Sequence, residues 1–146
     1  IATKSKIGNV IASKPLLTKM ISNGQLEVIH GKPLSNEEIN DCFAKSFCVW
    51  NLYRRSTQSG VLPKAFMFGT PVIASPIGSF PEFVTPGQNG EIIGASKNFQ
   101  EISEALEKIN GSFERYSTGA RKSFLDTFHY KANIERLRKI IAGVEG

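Results

Sequence analysis

Residues that bind metals or form disulfides are scarce in this sequence. It has only two cysteines and two histidines among 146 residues. Cys42 and Cys48 fit neither a disulfide framework nor a zinc signature, and their neighbours are apolar, so we expect buried, reduced thiols in a cytosolic protein. His30 and His129 lie far apart in the sequence, and His30, at a predicted strand end, is interpreted as structural. The sequence therefore predicts no metal site.

Several longer patterns are also missing, and each absence excludes a class of protein. No apolar run approaches the roughly 20 residues that cross a bilayer, and no signal-peptide pattern opens the chain. Neither a G-x-G-x-x-G fingerprint nor a Walker loop occurs, so nicotinamide chemistry and NTP hydrolysis lose their usual support. The formal net charge of +5 is spread without a compact basic run, and we therefore expect no nucleic-acid partner.

The stretch Cys48–Ile93 carries the clearest pattern of secondary structure. An apolar strand over Cys48–Leu52 is followed by a loop and an apolar helix over Ser59–Phe68, with Gly69 where that helix would end. A second strand at Val72–Ser75 then leads through another loop into a further helix. Such a βαβ unit closes a parallel sheet, so the sequence predicts an α/β fold with a Rossmann-like sheet and helices on both faces.

The flanking segments predict further strands and helices within one domain over residues 1–146. A strand is expected at Leu26–His30 and another at Glu91–Ile93, because both are short apolar runs between turn residues. The expected helices begin at Pro15, at Ser35 with Ile39, Phe43 and Phe47 facing inward, at Phe99 and at Phe113, and a last helix carries Ile134, Leu137 and Ile141 on one face.

Both loops of the central unit lead into a helix, where the first backbone N–H groups have no partner within the helix. Two such helix starts at neighbouring strand ends suit a diphosphate. Ser59 or Gly60 is the expected cap of the first helix. In the second loop Ser79 and Glu82 have capping-box spacing, so Glu82 is either a cap or a ligand contact.

Within this stretch, one set of residues whose spacing matches a known pattern without gaps is a more specific signal than the apolar periodicity. It comprises Gln58-Ser59-Gly60-Val61-Leu62-Pro63-Lys64-Ala65, Gly69-Thr70-Pro71-Val72-Ile73-Ala74-Ser75, Gly78, Pro81-Glu82 and Gly87-Gln88-Asn89-Gly90. These residues resemble the donor-binding half of group 1 (family GT4) glycosyltransferases. The resemblance implies the carboxyl-terminal half of a GT-B fold in a retaining hexosyltransferase of polysaccharide biosynthesis. The donor would be a nucleotide-sugar such as a UDP- or GDP-sugar, without a further cofactor, and the acceptor a polysaccharide, a lipid-linked glycan or a similar molecule.

The resemblance also implies roles for particular residues. The loop Gly31-Lys32-Pro33 would lie near the nucleobase, the helix start Ser59-Gly60-Val61 near the diphosphate, and Gly78-Ser79-Phe80 beside the sugar and phosphates. The whole implied site consists of Gly31, Lys32, Pro33, Gln58, Ser59, Gly60, Val61, Lys64, Gly78, Ser79, Phe80 and Glu82.

Two positions depart from the family pattern. Where the family commonly has two glutamates, the second of which holds the ribose hydroxyls, this chain has Ser56 and Lys64. A lysine cannot accept hydrogen bonds from hydroxyls, although its ammonium group can meet a phosphate; Lys64 is alternatively an exposed helix residue. The catalytic residues therefore stay unassigned. A degenerate GT-B-like module for assembly or partner binding is the competing hypothesis, and an epimerase or phosphorylase of similar architecture is a third.

The resemblance further implies that this chain is a piece of a longer protein. The acceptor half and the start of the donor half would precede Ile1, so the missing amino-terminal domain is an expected partner and this piece alone should not transfer sugar. We expect a cytoplasmic protein. The basic residues of the last helix form either a solvated face or a peripheral contact with the inner membrane.

Overall fold

The computed structural model describes residues 15–29, 33–53, 55, 60–94 and 98–144. Contacts between Cα atoms divide the chain into two compact units, Ile1–Asn36 and Glu37–Gly146. The predicted single domain over residues 1–146 stays a prediction.

The first unit contains helix α1, which spans Pro15–Ser22. The helix ends just before Gly24, which adopts a positive φ of 74° that favours glycine. The predicted strand at Leu26–His30 is wrong over its described part, since residues 26–29 form no strand. The backbone N–H of Leu26 instead donates to the carbonyl of Met20 at 3.0 Å and so satisfies the helix end. His30 lies outside the described residues.

The second unit alternates helices and strands in the predicted order. Its elements are α2 (Asn36–Lys45), β1 (Val49–Asn51), α3 (Val61–Met67), β2 (Val72–Ala74), α4 (Phe80–Phe83), β3 (Gly90–Ile92), α5 (Phe99–Gly111), α6 (Phe113–Ser123), a π-helix (Phe124–Phe128) and α7 (Tyr130–Val144). The helix predicted to begin at Phe113 therefore changes from α to π geometry at Phe124.

The three strands form one parallel sheet in the order β1-β2-β3. Val49 pairs with Val72 and Val72 pairs with Gly90, so the strands run in register from their first residues. Because all three strands point the same way, their carboxyl ends meet at one edge of the sheet.

Apolar clusters cover both faces of this sheet. One cluster joins β2 to α3, α4 and α6 through Ala74, Phe66, Phe80 and Ala120. The other joins β2 to α5 and α6 and contains Ile73, Ile93, Ala105, Ile109 and Tyr116. Since Ile73 and Ala74 are consecutive and point to opposite faces, helices lie on both faces, and the predicted α/β architecture is confirmed.

The end of α3 shows how the sequence fixes one of these helices. Gly69 has a φ of 68°, and its N–H donates to the carbonyl of Phe66 at 3.0 Å while Thr70 N–H donates to Ala65 at 2.9 Å. A Cβ at Gly69 would lie 3.0 Å from Ser117 Oγ. The predicted helix end at Gly69 is therefore confirmed, and α6 packs closely against it.

The region before β1 confirms part of the prediction and corrects the rest. Phe43 packs against the first cluster, whereas Phe47 is 39% exposed and stacks on the ring of Phe113, with 5.5 Å between the ring centroids. Both cysteines are free thiols, but Cys42 is exposed and not buried as predicted, because α2 turns it toward solvent. Cys48 is half-buried, and desolvation raises its pKa to about 11.

Candidate functional site

The carboxyl edge of the sheet aligns the last residues of all three strands. Asn51 pairs with Ala74, and Ala74 pairs with Ile92. The ladder extends one step further, because Ser75 N–H donates to the Asn51 carbonyl at 3.2 Å and Ile93 N–H donates to the Ala74 carbonyl at 3.0 Å. In parallel α/β sheets ligands bind outside this edge, so the loops that leave β1 and β2 border the candidate site.

The first loop leads into α3, and Gly60 caps that helix as one of the two expected residues. Gly60 is exposed with a φ of −64°, and a Cβ there would have nothing within 4 Å. Leu62, Ala65 and Phe66 are buried, which confirms that α3 packs as a core helix. Its start therefore presents backbone, without a side chain in the way, to the space above the sheet edge.

The second loop leads from β2 into the four-residue helix α4. Gly78 is exposed and has a φ of 56°, a conformation that a residue with a Cβ adopts only with strain. Ser79 caps α4 by position, but its side chain makes no capping hydrogen bond. Of the two alternatives for Glu82, the capping box with Ser79 is therefore wrong, because Ser79 has helical backbone angles and not the extended ones that a capping residue typically adopts. Glu82 is exposed.

The two helix starts lie on the same face of the sheet. Leu62 and Phe66 of α3 share a core cluster with Phe80 of α4, and the ring of Tyr53, from the first loop, stacks on Phe80 with centroids 6.0 Å apart. Because α3 and α4 also follow neighbouring strands at the same edge, we expect their starts to border one common space. Within the described residues no hydrogen bond occupies the backbone N–H groups of Gly60, Gly78 and Ser79.

The predicted site residues divide into three groups. Gly60, Val61, Lys64, Gly78, Ser79, Phe80 and Glu82 lie on the two elements just described. Pro33 is exposed in the first unit, and its predicted place near the nucleobase stays a prediction. Gly31, Lys32, Ser56, Gln58 and Ser59 lie outside the described residues. Lys64 is half-buried within α3, so it is neither a core residue nor a fully solvated one.

Sequence reasoning missed two polar residues at the sheet edge. Asn51 and Ser75 are 0% and 1% exposed, and the side-chain nitrogen and oxygen of Asn51 and the hydroxyl of Ser75 have no hydrogen-bond partner in the described part of the chain. A signal was present, because an asparagine inside the apolar strand Cys48–Leu52 is unusual at a strand interior. These two residues are therefore the unexplained polar groups of the candidate site.

A second polar cluster lies on β3, away from the carboxyl edge. Glu91 is 6% exposed, and its Oε1 accepts hydrogen bonds from Tyr116 Oη at 2.6 Å and from the Gly87 N–H at 2.8 Å. Lys108 Nζ lies 3.8 Å from Glu91 Oε2. Burial, followed by the adjacent Glu91 carboxylate, raises the pKa of Tyr116 to about 12. Every polar atom named here has a partner, which is typical of a structural cluster.

Helix α7 leaves an apolar face exposed. Leu137, Ile140 and Ile141 are 55%, 56% and 62% exposed, and Lys131 and Lys139 are also at the surface. Across the described residues no helix has the length and apolar character that spanning a membrane requires, and no three acidic, cysteine or histidine side chains lie together as metal ligands would.

Comparisons with known proteins agree with this architecture. A family model described as glycosyl transferases group 1 matches residues 8–110. The chain is similar to sucrose-phosphate synthase from Thermosynechococcus elongatus, with a TM-score of 0.67 and 16% identity over 91% of this chain and 34% of that chain. It is also similar to Anabaena HepE in complex with UDP-glucose, with a TM-score of 0.62 and 18% identity over 88% of this chain and 36% of that chain.

These comparisons also set the extent of the similarity. The chain spans about a third of the length of both solved structures, and at these identities the likeness is one of fold. No curated protein sequence shows a significant match.

Proposed function

This chain belongs to the group 1 glycosyl transferases, and from that premise we propose that it is the donor-binding half of a retaining, nucleotide-sugar-dependent enzyme. One observation carries the proposal: α3 and α4 follow neighbouring strands at the carboxyl edge of the sheet and share an apolar cluster on one of its faces. The N–H groups of Gly60, Gly78 and Ser79 have no partner in the described residues. Such groups bind a diphosphate without a charged side chain.

The proposed chemistry is the transfer of a hexosyl group from the nucleoside diphosphate to an acceptor hydroxyl. The bond between the anomeric carbon and the diphosphate oxygen breaks, and negative charge develops on the leaving diphosphate. Backbone amides fixed at the sheet edge stabilise that charge without reorganising, which is the main electrostatic task of the site. The acceptor is a polysaccharide, a lipid-linked glycan or a similar molecule, and the reaction needs no further cofactor.

Lys64 favours a second candidate function. Its ammonium group cannot replace a glutamate that accepts hydrogen bonds from ribose hydroxyls, and it is half-buried on α3. In the main proposal Lys64 contacts a phosphate. In the alternative the donor site is degenerate, and the chain serves assembly or binds a protein partner without transferring sugar.

We propose that the rest of the enzyme is an amino-terminal acceptor half of the same protein. The proposed setting is the cytoplasm, where polysaccharide precursors and nucleotide-sugars meet. The exposed apolar and basic side chains of α7 support peripheral contact with an anionic membrane surface.

The test is calorimetric titration of the full-length protein that carries this sequence with UDP, GDP and their sugars. We expect saturable binding of one nucleotide and its sugar. Gly60→Leu should raise the Kd at least about tenfold, equivalent to 1.4 kcal/mol, because the new side chain enters the space beside the diphosphate. A Cβ at Gly60 meets no atom within 4 Å, so the fold should survive the change.

Gly111→Leu provides the matched control. A Cβ at Gly111 also has nothing within 4 Å, but Gly111 ends α5 and belongs to neither loop of the site. Its affinity should equal that of the wild type. A folded wild-type protein that binds none of the nucleotides, yet retains a protein partner in a pull-down, would establish the degenerate module instead.

A further inference from the structure

Unpartnered polar atoms in the described residues concentrate at the carboxyl edge of the sheet. Four buried side-chain atoms lack a hydrogen-bond partner, and three of them belong to Asn51 and Ser75. Asn51 is the more extreme case, because both its amide nitrogen and its oxygen are unpartnered and its exposure is 0%. Folded proteins leave very few buried polar groups in this condition.

The Asn51 side chain makes no evident contribution to the stability of the fold. It pairs with Ala74, which pairs with Ile92, and residues paired in this way point to the same face of a sheet. Ala74 and Ile92 belong to an apolar cluster. An amide in such surroundings loses its hydrogen bonds to water and gains none, so a leucine of similar size would stabilise this state better.

The elements that cover Asn51 are the ones that border the candidate site. The apolar cluster on its face contains Leu62 from the first turn of α3 and Phe80 from the first turn of α4. Asn51 is also the last residue of β1, directly beneath the edge outside which ligands bind in parallel sheets. The first turns of α3 and α4 therefore lie on the face of the sheet to which Asn51 points, and their backbone groups are the candidate partners of its amide.

Ser75 does not share this position. It follows Ala74 and so points to the opposite face of the sheet, where Ile73 and Ile93 lie in the other cluster. The inference accordingly rests on Asn51 alone.

We propose that Asn51 is a positioning residue for the donor, and the proposal rests on the function proposed above. When a nucleoside diphosphate occupies the space between the helix starts, the Asn51 amide forms hydrogen bonds to the first turns of α3 and α4, directly or through one trapped water. Its donor and acceptor atoms hold the two turns at the separation that the diphosphate requires. Without the ligand the amide stays unpartnered, and the free energy of folding is correspondingly less favourable.

The decisive variant is Asn51→Leu in the full-length protein, which removes the amide and keeps the volume. We expect the urea concentration at the unfolding midpoint to rise without ligand, because an unpartnered polar group leaves the core. The Kd for the nucleotide that the wild type binds should rise about tenfold. If the Asn51 side chain only destabilised the fold, Asn51→Leu would change the urea midpoint of unfolding and leave the Kd for the nucleotide unchanged.

Two further measurements separate this role from a packing effect. Asn51→Ala also lacks the amide but leaves a cavity, so it should lower the unfolding midpoint while weakening nucleotide binding as Asn51→Leu does. In ¹⁵N spectra the side-chain NH₂ signal that disappears in Asn51→Leu should shift when UDP or GDP is added to the wild type. Asn40→Ala is the control for nucleotide affinity, because Asn40 carries the fourth unpartnered atom, its side-chain oxygen, but lies on α2.

Each outcome decides the proposal. Unchanged affinity in Asn51→Leu, with a wild type that binds nucleotide, overturns the role of Asn51 and leaves the donor-binding function standing. A side-chain NH₂ signal that does not shift when the wild type is saturated with nucleotide also overturns the role of Asn51. It would indicate that a permanently trapped water already bonds to the amide. A wild type that binds no nucleotide removes the donor-binding function and this role together.

Discussion

Two buried asparagines in the same unit have opposite environments. Asn89, before β3, is 2% exposed, and its amide nitrogen donates to the Phe83 carbonyl at 2.9 Å and to Ser123 Oγ at 2.8 Å. Its oxygen accepts from the Thr85 N–H at 2.8 Å. Asn51, at the end of β1, is equally buried and makes none of these contacts within the described residues.

The difference distinguishes a region that stabilises the fold from the proposed donor-binding region. The turn around Asn89 and the neighbouring cluster of Glu91 and Tyr116 satisfy their polar groups internally. The carboxyl edge leaves the Asn51 amide and the backbone N–H groups of Gly78 and Ser79 without partners in the described part of the chain. Natural proteins accept such local instability mainly at functional sites.

The largest effect is expected when the two asparagines receive the same substitution. Asn89→Leu should lower the free energy of unfolding by about 3 kcal/mol, because it leaves the buried Phe83 carbonyl and Thr85 N–H without partners. Asn51→Leu should raise the free energy of unfolding. Urea titration of both variants measures the difference. If the free energy of unfolding changed in the same direction in both, the contrast between the two asparagines would be wrong.

The second effect concerns the hydroxyl of Tyr116. Tyr116→Phe should lower the free energy of unfolding by about 2 kcal/mol, because a buried hydrogen bond to the Glu91 carboxylate is lost. Nucleotide affinity should not change, since this cluster lies away from the carboxyl edge. A change in affinity would mean that the two regions are coupled.

The raised pKa of Tyr116 predicts that the stability of the protein depends on pH. The pKa of Tyr116 rises from its ordinary value of 10.0 to about 12 in the folded protein, so the unfolded chain loses this proton first. The stabilising contribution is therefore complete below pH 10 and declines as the pH rises toward 12. Urea titrations across this range should show a steeper decline for the wild type than for Tyr116→Phe. Equal slopes would contradict the assignment.

The sequence predicts the well-partnered region better than the edge. Apolar periodicity and Gly69 locate α3, β2 and the turn before β3, because burial and helix termination are local properties of the chain. Strand formation is not local: residues 26–29 have a strand-like pattern, but Leu26 N–H bonds to the end of α1 instead. The exposure of Cys42 was missed for a related reason, since apolar neighbours in sequence do not fix which way a helix turns each residue.

The candidate site divides in the same manner. Gly60 and Gly78 were identified from the motif, because a glycine at a helix start or in a left-handed turn has a direct backbone meaning. The failed capping box of Ser79 depended on backbone angles that the spacing alone does not determine. Asn51 was missed because the packing of three elements decides whether its amide has a hydrogen-bond partner, and the sequence does not show that packing.

The next prediction compares two glycines at the edge. Gly78 has a φ of 56° and Gly60 a φ of −64°, so Gly78→Ala should lower the free energy of unfolding by about 1 kcal/mol. Gly60→Ala should leave it nearly unchanged. Thermal unfolding distinguishes the two, and equal costs would show that the second loop relaxes to another conformation without strain.

The smallest effect is a change in the rate at which Cys48, beside the amino end of β1, is chemically labelled. Iodoacetamide at pH 8 should modify the exposed Cys42 well before Cys48, because burial raises the pKa of the Cys48 thiol to about 11 and keeps it protonated. Cys48 immediately precedes β1, so its slow labelling reports local opening of that strand. If nucleotide binding allows Asn51, at the other end of β1, to form hydrogen bonds to the first turns of α3 and α4, saturation with the nucleotide should slow labelling of Cys48 and leave Cys42 unaffected. Mass spectrometry of peptides over time measures both rates, and a Cys48 rate that ignores the ligand would mean that β1 is already as stable without it.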